Sequence, residues 1–124
     1  MPLAEDKIDN SYSITAYDAD HVRINDQPYQ GSLILSPQKI HAPWPITSVS
    51  ELNSFLLAPL FELKPEVVLL GTGDRQVFPS AEIFAIFAQY QLGLEVMANS
   101  ALYRTYNILA AEDRQVVAAI IQPS

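Results

Sequence analysis

The chain has no cysteine, only two histidines and four glycines, and half as many basic residues as acidic ones, 7 against 14. Without cysteine there can be no disulfide, no thiolate nucleophile and no cysteine-held zinc or iron–sulfur centre. The shortage of lysine and arginine leaves a formal net charge of −7. Such a chain gains nothing from counterion release on a phosphate backbone, so nucleic acid is not an expected partner. No apolar run approaches the ~20 residues needed to span a bilayer. The N-terminus, Met1-Pro2-Leu3-Ala4-Glu5-Asp6, lacks the basic start and apolar centre of a secretory signal and the arginine-rich character of a transit peptide. A cytoplasmic protein is expected, not an integral membrane one.

Catalytic signatures are also scarce. Gly71-Thr72-Gly73 has the spacing of neither a phosphate-binding loop nor a dinucleotide fingerprint. Ser80 and Ser100 have no nucleophile-elbow context and read as helix caps. His21 and His41 carry no metal-ligand spacing. No cofactor, no metal and no catalytic residue is identified.

What is present is a core. Hydrophobic residues make up 49% of the 124, enough for one domain that buries roughly two thirds of its unfolded surface. Residues 1–11 are expected to be loosely held, and 12–124 to form a single α/β domain. Val67-Val68-Leu69-Leu70 and Val116 to Ile121 are continuous apolar runs, which mark strands covered on both faces. Gly71 and Gly73 after the first run permit a positive φ and close approach of another group.

Around these runs the pattern predicts a hairpin, Ser13–Tyr17 with His21–Ile24, and a third strand from Tyr29 to Leu35. Ser48 and Glu51 form a capping box for a helix to about Leu57, which Pro59 closes. A helix from Ser80 carries Ile83, Ile86, Phe87 and Tyr90 on one face; Phe84, Ala85 and Ala88 make the other face apolar too, so it should be buried all round. Gly93 is placed to end it in a left-handed conformation. Leu94–Met97 is a strand, and Asn99 or Ser100 caps a last helix over Ala101–Ala111. The second half is thus β-α-β-α-β, and the fold class is α/β: three layers, a mixed sheet with helices packed on it plus an N-terminal β-hairpin.

Ligands of such sheets sit beyond the carboxyl ends of the strands. There the sequence offers Gly71, Thr72, Gly73, Asp74 and Arg75 in one segment, and Asn99 and Ser100 in another. Ser100, Arg104 and Asn107 recur at i, i+4 and i+7 and share a helix face. These residues are candidates for a small anion or polar-ligand pocket: Gly71, Thr72, Gly73, Asn99, Ser100, Arg104 and Asn107. A structural role fits them too, with glycines permitting the turn and Arg104 paired with Asp74, Glu95 or a carbonyl. Glu95 interrupts an apolar strand, as a buried functional carboxylate or as one that faces solvent or pairs with Arg104 or Arg114. The arginines at 75, 104 and 114 stand at element ends, which suits fixed pairs.

Val68-Leu69-Leu70-Gly71-Thr72-Gly73, Pro79, Gly93-Leu94-Glu95-Val96-Met97, and Ala101-Leu102-Tyr103-Arg104-Thr105-Tyr106-Asn107-Ile108-Leu109 with Glu112-Asp113-Arg114 together resemble one family. It is the small α/β domain of unknown function that includes mitochondrial respiratory complex I (NADH dehydrogenase) assembly factor 3 and an adipogenesis-associated relative. The likeness covers about residues 12–122. Asn99 stands where threonine is expected and Asp113 where glycine is common. The resemblance implies a three-layer domain around a mixed sheet and no established catalytic residues. For the mitochondrial member it implies a role in assembling a membrane complex through protein contacts. Without that member's targeting segment, this chain resembles a bacterial, free-standing relative. Two functions are therefore carried forward: a non-catalytic accessory or assembly factor, or a small-molecule or anion binder, or minor enzyme, using the Gly71–Arg75 loop and the Arg104/Asn107 helix face. The sequence leaves the oligomeric state open.

Overall fold

The computed structural model describes residues 11–122, so the expectation for residues 1–11 lies, apart from Ser11, outside them. In chain order the elements are β1 (Ile14–Tyr17), β2 (His21–Ile24), β3 (Gln27–Gln30), β4 (Leu33–Leu35), β5 (Ile40–His41), α1 (Ser54–Glu62), β6 (Val67–Gly71), α2 (Ala81–Gln89), β7 (Leu94–Met97), α3 (Asn99–Ala111) and β8 (Val116–Ile120).

The two apolar runs become parallel neighbours, β6 and β8, with Leu69 opposite Ala118. β7 joins β6 in parallel, and β4 joins β8 antiparallel. The five-stranded sheet has the order β5-β4-β8-β6-β7, and a separate antiparallel sheet has the order β1-β2-β3. Alternation along each strand divides the apolar runs between two cores. Ile34, Val68, Leu70, Val117 and Ala119 pack with Leu57 and Leu60 of α1 and Ile83 and Phe87 of α2. Leu33, Leu35, Leu69, Val116, Ala118 and Ile120 pack on the other face with Leu102, Tyr103 and Tyr106 of α3 and with Ile14, Val22 and Ile24 of the small sheet. Each large aliphatic buried this way contributes roughly 1.5–3 kcal/mol. This is the expected three-layer α/β arrangement. Among the described residues no helix is long and apolar enough to cross a membrane.

Several local expectations change. The strand predicted over Tyr29–Leu35 is two strands in different sheets, because Gly31 takes φ +85 and redirects the chain. The capping box of Ser48 and Glu51 forms on a short 3-10 turn, Val49–Glu51, and α1 starts later under Asn53, whose side chain accepts from the N–H of Leu56. Pro59 lies inside α1. It removes one helical bond, and burial of Leu57 and Leu60 on either side of it holds the helix through that loss. α2 is not buried all round: Ile83 and Phe87 are buried, whereas Phe84 and Tyr90 are exposed. Tyr90 instead stacks on Phe61 of α1, ring centroids 3.8 Å apart. The left-handed residue after α2 is Gln91, φ +58, not Gly93. Ser80 and Ala98 hold the cap positions of α2 and α3 without a side-chain cap bond.

Candidate functional site

Past Gly71 the chain leaves β6 in a turn built around one hydroxyl. Thr72 Oγ1 donates to the carbonyl of Arg75 and accepts from the N–H of Val77 at 3.0 Å. Gly73 adopts φ +98, which an L side chain rarely tolerates. Gln76 Nε2 donates to the carbonyl of Val96 at 2.9 Å, tying the loop to β7. Pro79 is buried, while Val77 and Phe78 before it are exposed, Phe78 at 63%. Apolar side chains thus stand in solvent on a loop whose backbone is pinned at both ends.

Asn99 joins this loop to the two central strands. Its Oδ1 accepts from the N–H of Gly73 at 3.1 Å and its Nδ2 donates to the carbonyl of Ile121 at 3.0 Å. Its own N–H donates to the carbonyl of Gly73 at 2.9 Å. The amide is buried and used at both ends, so Asn99 braces strand ends where a helix cap was expected. Beside it Gln122, only 4% exposed, donates from Nε2 to the Tyr103 hydroxyl at 3.1 Å. Ser32 Oγ accepts from the Gln122 N–H at 2.8 Å and donates to the carbonyl of Ile46 at 2.6 Å. Burial pushes the Tyr103 phenol up to about 12, against hydrogen bonds from Gln122 and Asn99 that work the other way.

The Thr72–Gly73 turn divides the strand ends into two clefts. One, of about 540 Å³, is lined by Thr72, Val77, Phe78, Pro79 and Ser80 and faced by Thr47–Ser50, with Leu52, Ile83 and Ile121 as its floor. The other, of about 340 Å³, gathers Gly73, Asp74, Asn99, Ser100, Tyr103 and Gln122 beneath Tyr17, Asp18 and Ala19 of the β1–β2 turn. The predicted face of Ser100, Arg104 and Asn107 exists, along a shallow groove of about 280 Å³ beside β1. A wider depression, about 820 Å³, lies at the opposite end of α3 and shares only Asn107 with the candidate set.

The seven candidates therefore separate. Gly73, Asn99 and Ser100 share one cleft and Thr72 faces the other. Gly71 is buried at the close approach of Asn99. Asn107 spends its amide on β1: Oδ1 accepts from the N–H of Ile14 at 2.9 Å and Nδ2 donates to its carbonyl at 2.8 Å. Arg104 is exposed and has no bonded partner among the described residues, so it makes no buried pair with Asp74, Glu95 or the strand-end carbonyls. It lies on the outer side of α3, where water already solvates the charge. Glu95 is exposed as well. Of Arg75, Arg104 and Arg114, only Arg114 has an ion pair among the described residues, with Glu66 at 3.3 Å. The sequence pattern overlooked Gln122 and Tyr103. The signal for Gln122 was available: a polar residue directly after the apolar run of β8, hence on the same carboxyl edge.

One grouping of acids with an imidazole forms among the described residues, Asp18, Asp20 and His21 in the β1–β2 turn. Its bonds are those of the turn. Asp18 Oδ1 accepts from the N–H groups of Asp20 and His21 at 3.2 and 3.0 Å, and His21 Nδ1 lies 2.7 Å from Asp20 Oδ1. The Asp20 carboxylate raises the His21 pKa above its ordinary value.

Known proteins are similar to nearly the whole chain in sequence and fold. A Francisella tularensis protein named 13 kDa major membrane protein is 30% identical over 98% of this chain and 99% of its own. The Drosophila melanogaster NADH dehydrogenase [ubiquinone] 1 alpha subcomplex assembly factor 3 is 30% identical over 89% of this chain; the match spans 58% of that longer protein. A solved structure from Xanthomonas campestris superposes with a TM-score of 0.83 at 41% identity, covering 98% of this chain and 92% of that one. The model of the family described as protein of unknown function (DUF498/DUF598) matches residues 14–121, and the chain belongs to that family.

Proposed function

We propose that this protein is a non-catalytic accessory or assembly factor that acts through protein contacts, in the manner named for its complex I assembly factor 3 relatives. In this proposal it works from the cytoplasm of a bacterial cell. The observation that carries it is the Val77–Phe78 lip. Two apolar side chains are exposed on a loop fixed by Thr72, Gln76 and Pro79, beside a cleft with an apolar floor. A pre-ordered apolar anchor of this kind loses little entropy when a partner covers it. The polar side chains Thr72, Asn99 and Asn107 are meanwhile committed to backbone groups.

The test is deletion of the gene in a host that carries complex I, with assembled complex measured on native gels, and rescue by wild type or Phe78→Asp. Assembled complex should fall on deletion and return with wild type but not with Phe78→Asp, whose melting temperature should match wild type. Normal complex levels in the deletion strain would refute the role.

A further inference from the structure

We infer that the cleft between the β1–β2 turn and the start of α3 is a binding site for a single ammonium or guanidinium group. Free acceptors line it, beside the Ser100 hydroxyl, which can donate or accept. Asp74 is exposed and has no bonded partner among the described residues. Asp18 lines the same cleft; its Oδ1 is engaged by the turn and faces His21 Nδ1 at 3.4 Å, which leaves Oδ2, and no basic residue lines the cleft itself. At the base, the buried Gln122 uses Nε2 on Tyr103, and its Oε1 has no partner among the described residues. A buried amide oxygen without a donor is unfavourable, and an incoming N–H would satisfy it. Tyr17, about half exposed, lines the same cleft and lies against Tyr103 with ring centroids 4.6 Å apart, and an aromatic ring attracts cations.

An anion is poorly served. At the start of α3 the N–H groups of Asn99, Ala101 and Leu102 already donate to the carbonyls of Gly73 and Ala98. The charge of Asp18 is among the influences that raise the Tyr103 pKa, which places negative potential inside the cleft. The inference does not depend on the assembly role: binding can be present or absent whatever happens to complex levels.

The source of the group is a free amine or a basic side chain of a protein, and two probes separate them. Uniformly labelled protein is titrated with butylammonium and, separately, with the blocked peptide acetyl-Gly-Lys-Gly-amide, reading amide shifts. Saturable shifts are expected at Gly73, Ser100 and the Gln122 side chain, with phosphate and acetate giving none. Affinity should fall about tenfold in Asp74→Asn, the scale of one charge-assisted contact, at unchanged melting temperature. Tighter binding of the peptide assigns the site to a partner's lysine; equal or tighter binding of butylammonium assigns it to a free amine. No saturable shift, the same shifts with phosphate, or an Asp74→Asn variant that binds like wild type would overturn the inference.

Discussion

The side-chain oxygen of Asn99 occupies the space that a Cβ on Gly71 would need: the ideal position lies 2.3 Å from Asn99 Oδ1 and 3.0 Å from Leu102 Cδ1. Gly71 is required for contact here, and the positive φ is at Gly73. Gly71→Ala must displace the Asn99 amide and with it the bonds to Gly73 and Ile121. Overpacking and lost buried bonds together should cost about 3 kcal/mol. Urea unfolding checks this, and a loss under about 1 kcal/mol would mean that Asn99 can move aside freely.

Arg104 gives the opposite expectation. It is exposed and unpaired among the described residues. Arg104→Ala should change stability by no more than about 0.5 kcal/mol, as for other surface substitutions. A thermal melt decides this, and a loss of several kcal/mol would indicate a buried partner that the fold does not show.

Asn107→Ala removes both bonds to the backbone of Ile14, across 93 residues of sequence. Stability should fall by about 1–2 kcal/mol. Amide exchange should accelerate at Ile14 and leave Leu69 of the central sheet protected. Uniform acceleration of both would show that the small sheet has no independent opening.

His21 and Glu66 each contribute to a weak pH dependence. His21 has a raised folded pKa, chiefly through its hydrogen bond to Asp20. Its contribution is present in full below the ordinary value of 6.5 and fades as pH rises through the folded value. Glu66 has a lowered folded pKa, first through the Gln115 N–H and then through Arg114. Its contribution is present above the ordinary 4.5 and fades as pH falls through the folded value. Both are therefore in force between those two ordinary values. Proton NMR titration should give His21 an elevated pKa that returns toward 6.5 in Asp20→Asn; no change in that variant would remove Asp20 as the cause.

The central strands were legible because an apolar run without alternation has one physical meaning in a layered domain. Val67–Leu70 and Val116–Ile121 needed nothing beyond local pattern. Other features depended on what lies next to a residue in space. Phe84 and Ala85 look like core in sequence, but nothing in the described chain covers the outer side of α2. Asn99 looks like a helix cap because its use depends on Ile121, 22 residues away. Arg104 looks like a buried clamp on an apolar helix, and only the position of β1 shows that its side of α3 meets water. Glycine and proline were ambiguous for the same reason, since Pro59 is outweighed by the burial of Leu57 and Leu60.

The side-chain amides of Asn107 and Gln76 have a consequence for how this protein can associate. β1 and β7 are outermost in their sheets, and a bare outermost strand is a template onto which any extended chain can zip. Asn107 fills both backbone groups of Ile14, and Gln76 fills the carbonyl of Val96. Pro28 denies β3 a donor, and β5 is two residues long. Strand addition, which reads hydrogen bonds and little else, is thereby disfavoured at all four rims. Recognition then falls to side chains on the loops and helices, where neighbouring sequences can be told apart and where the chain is protected from polymerising with its own copies.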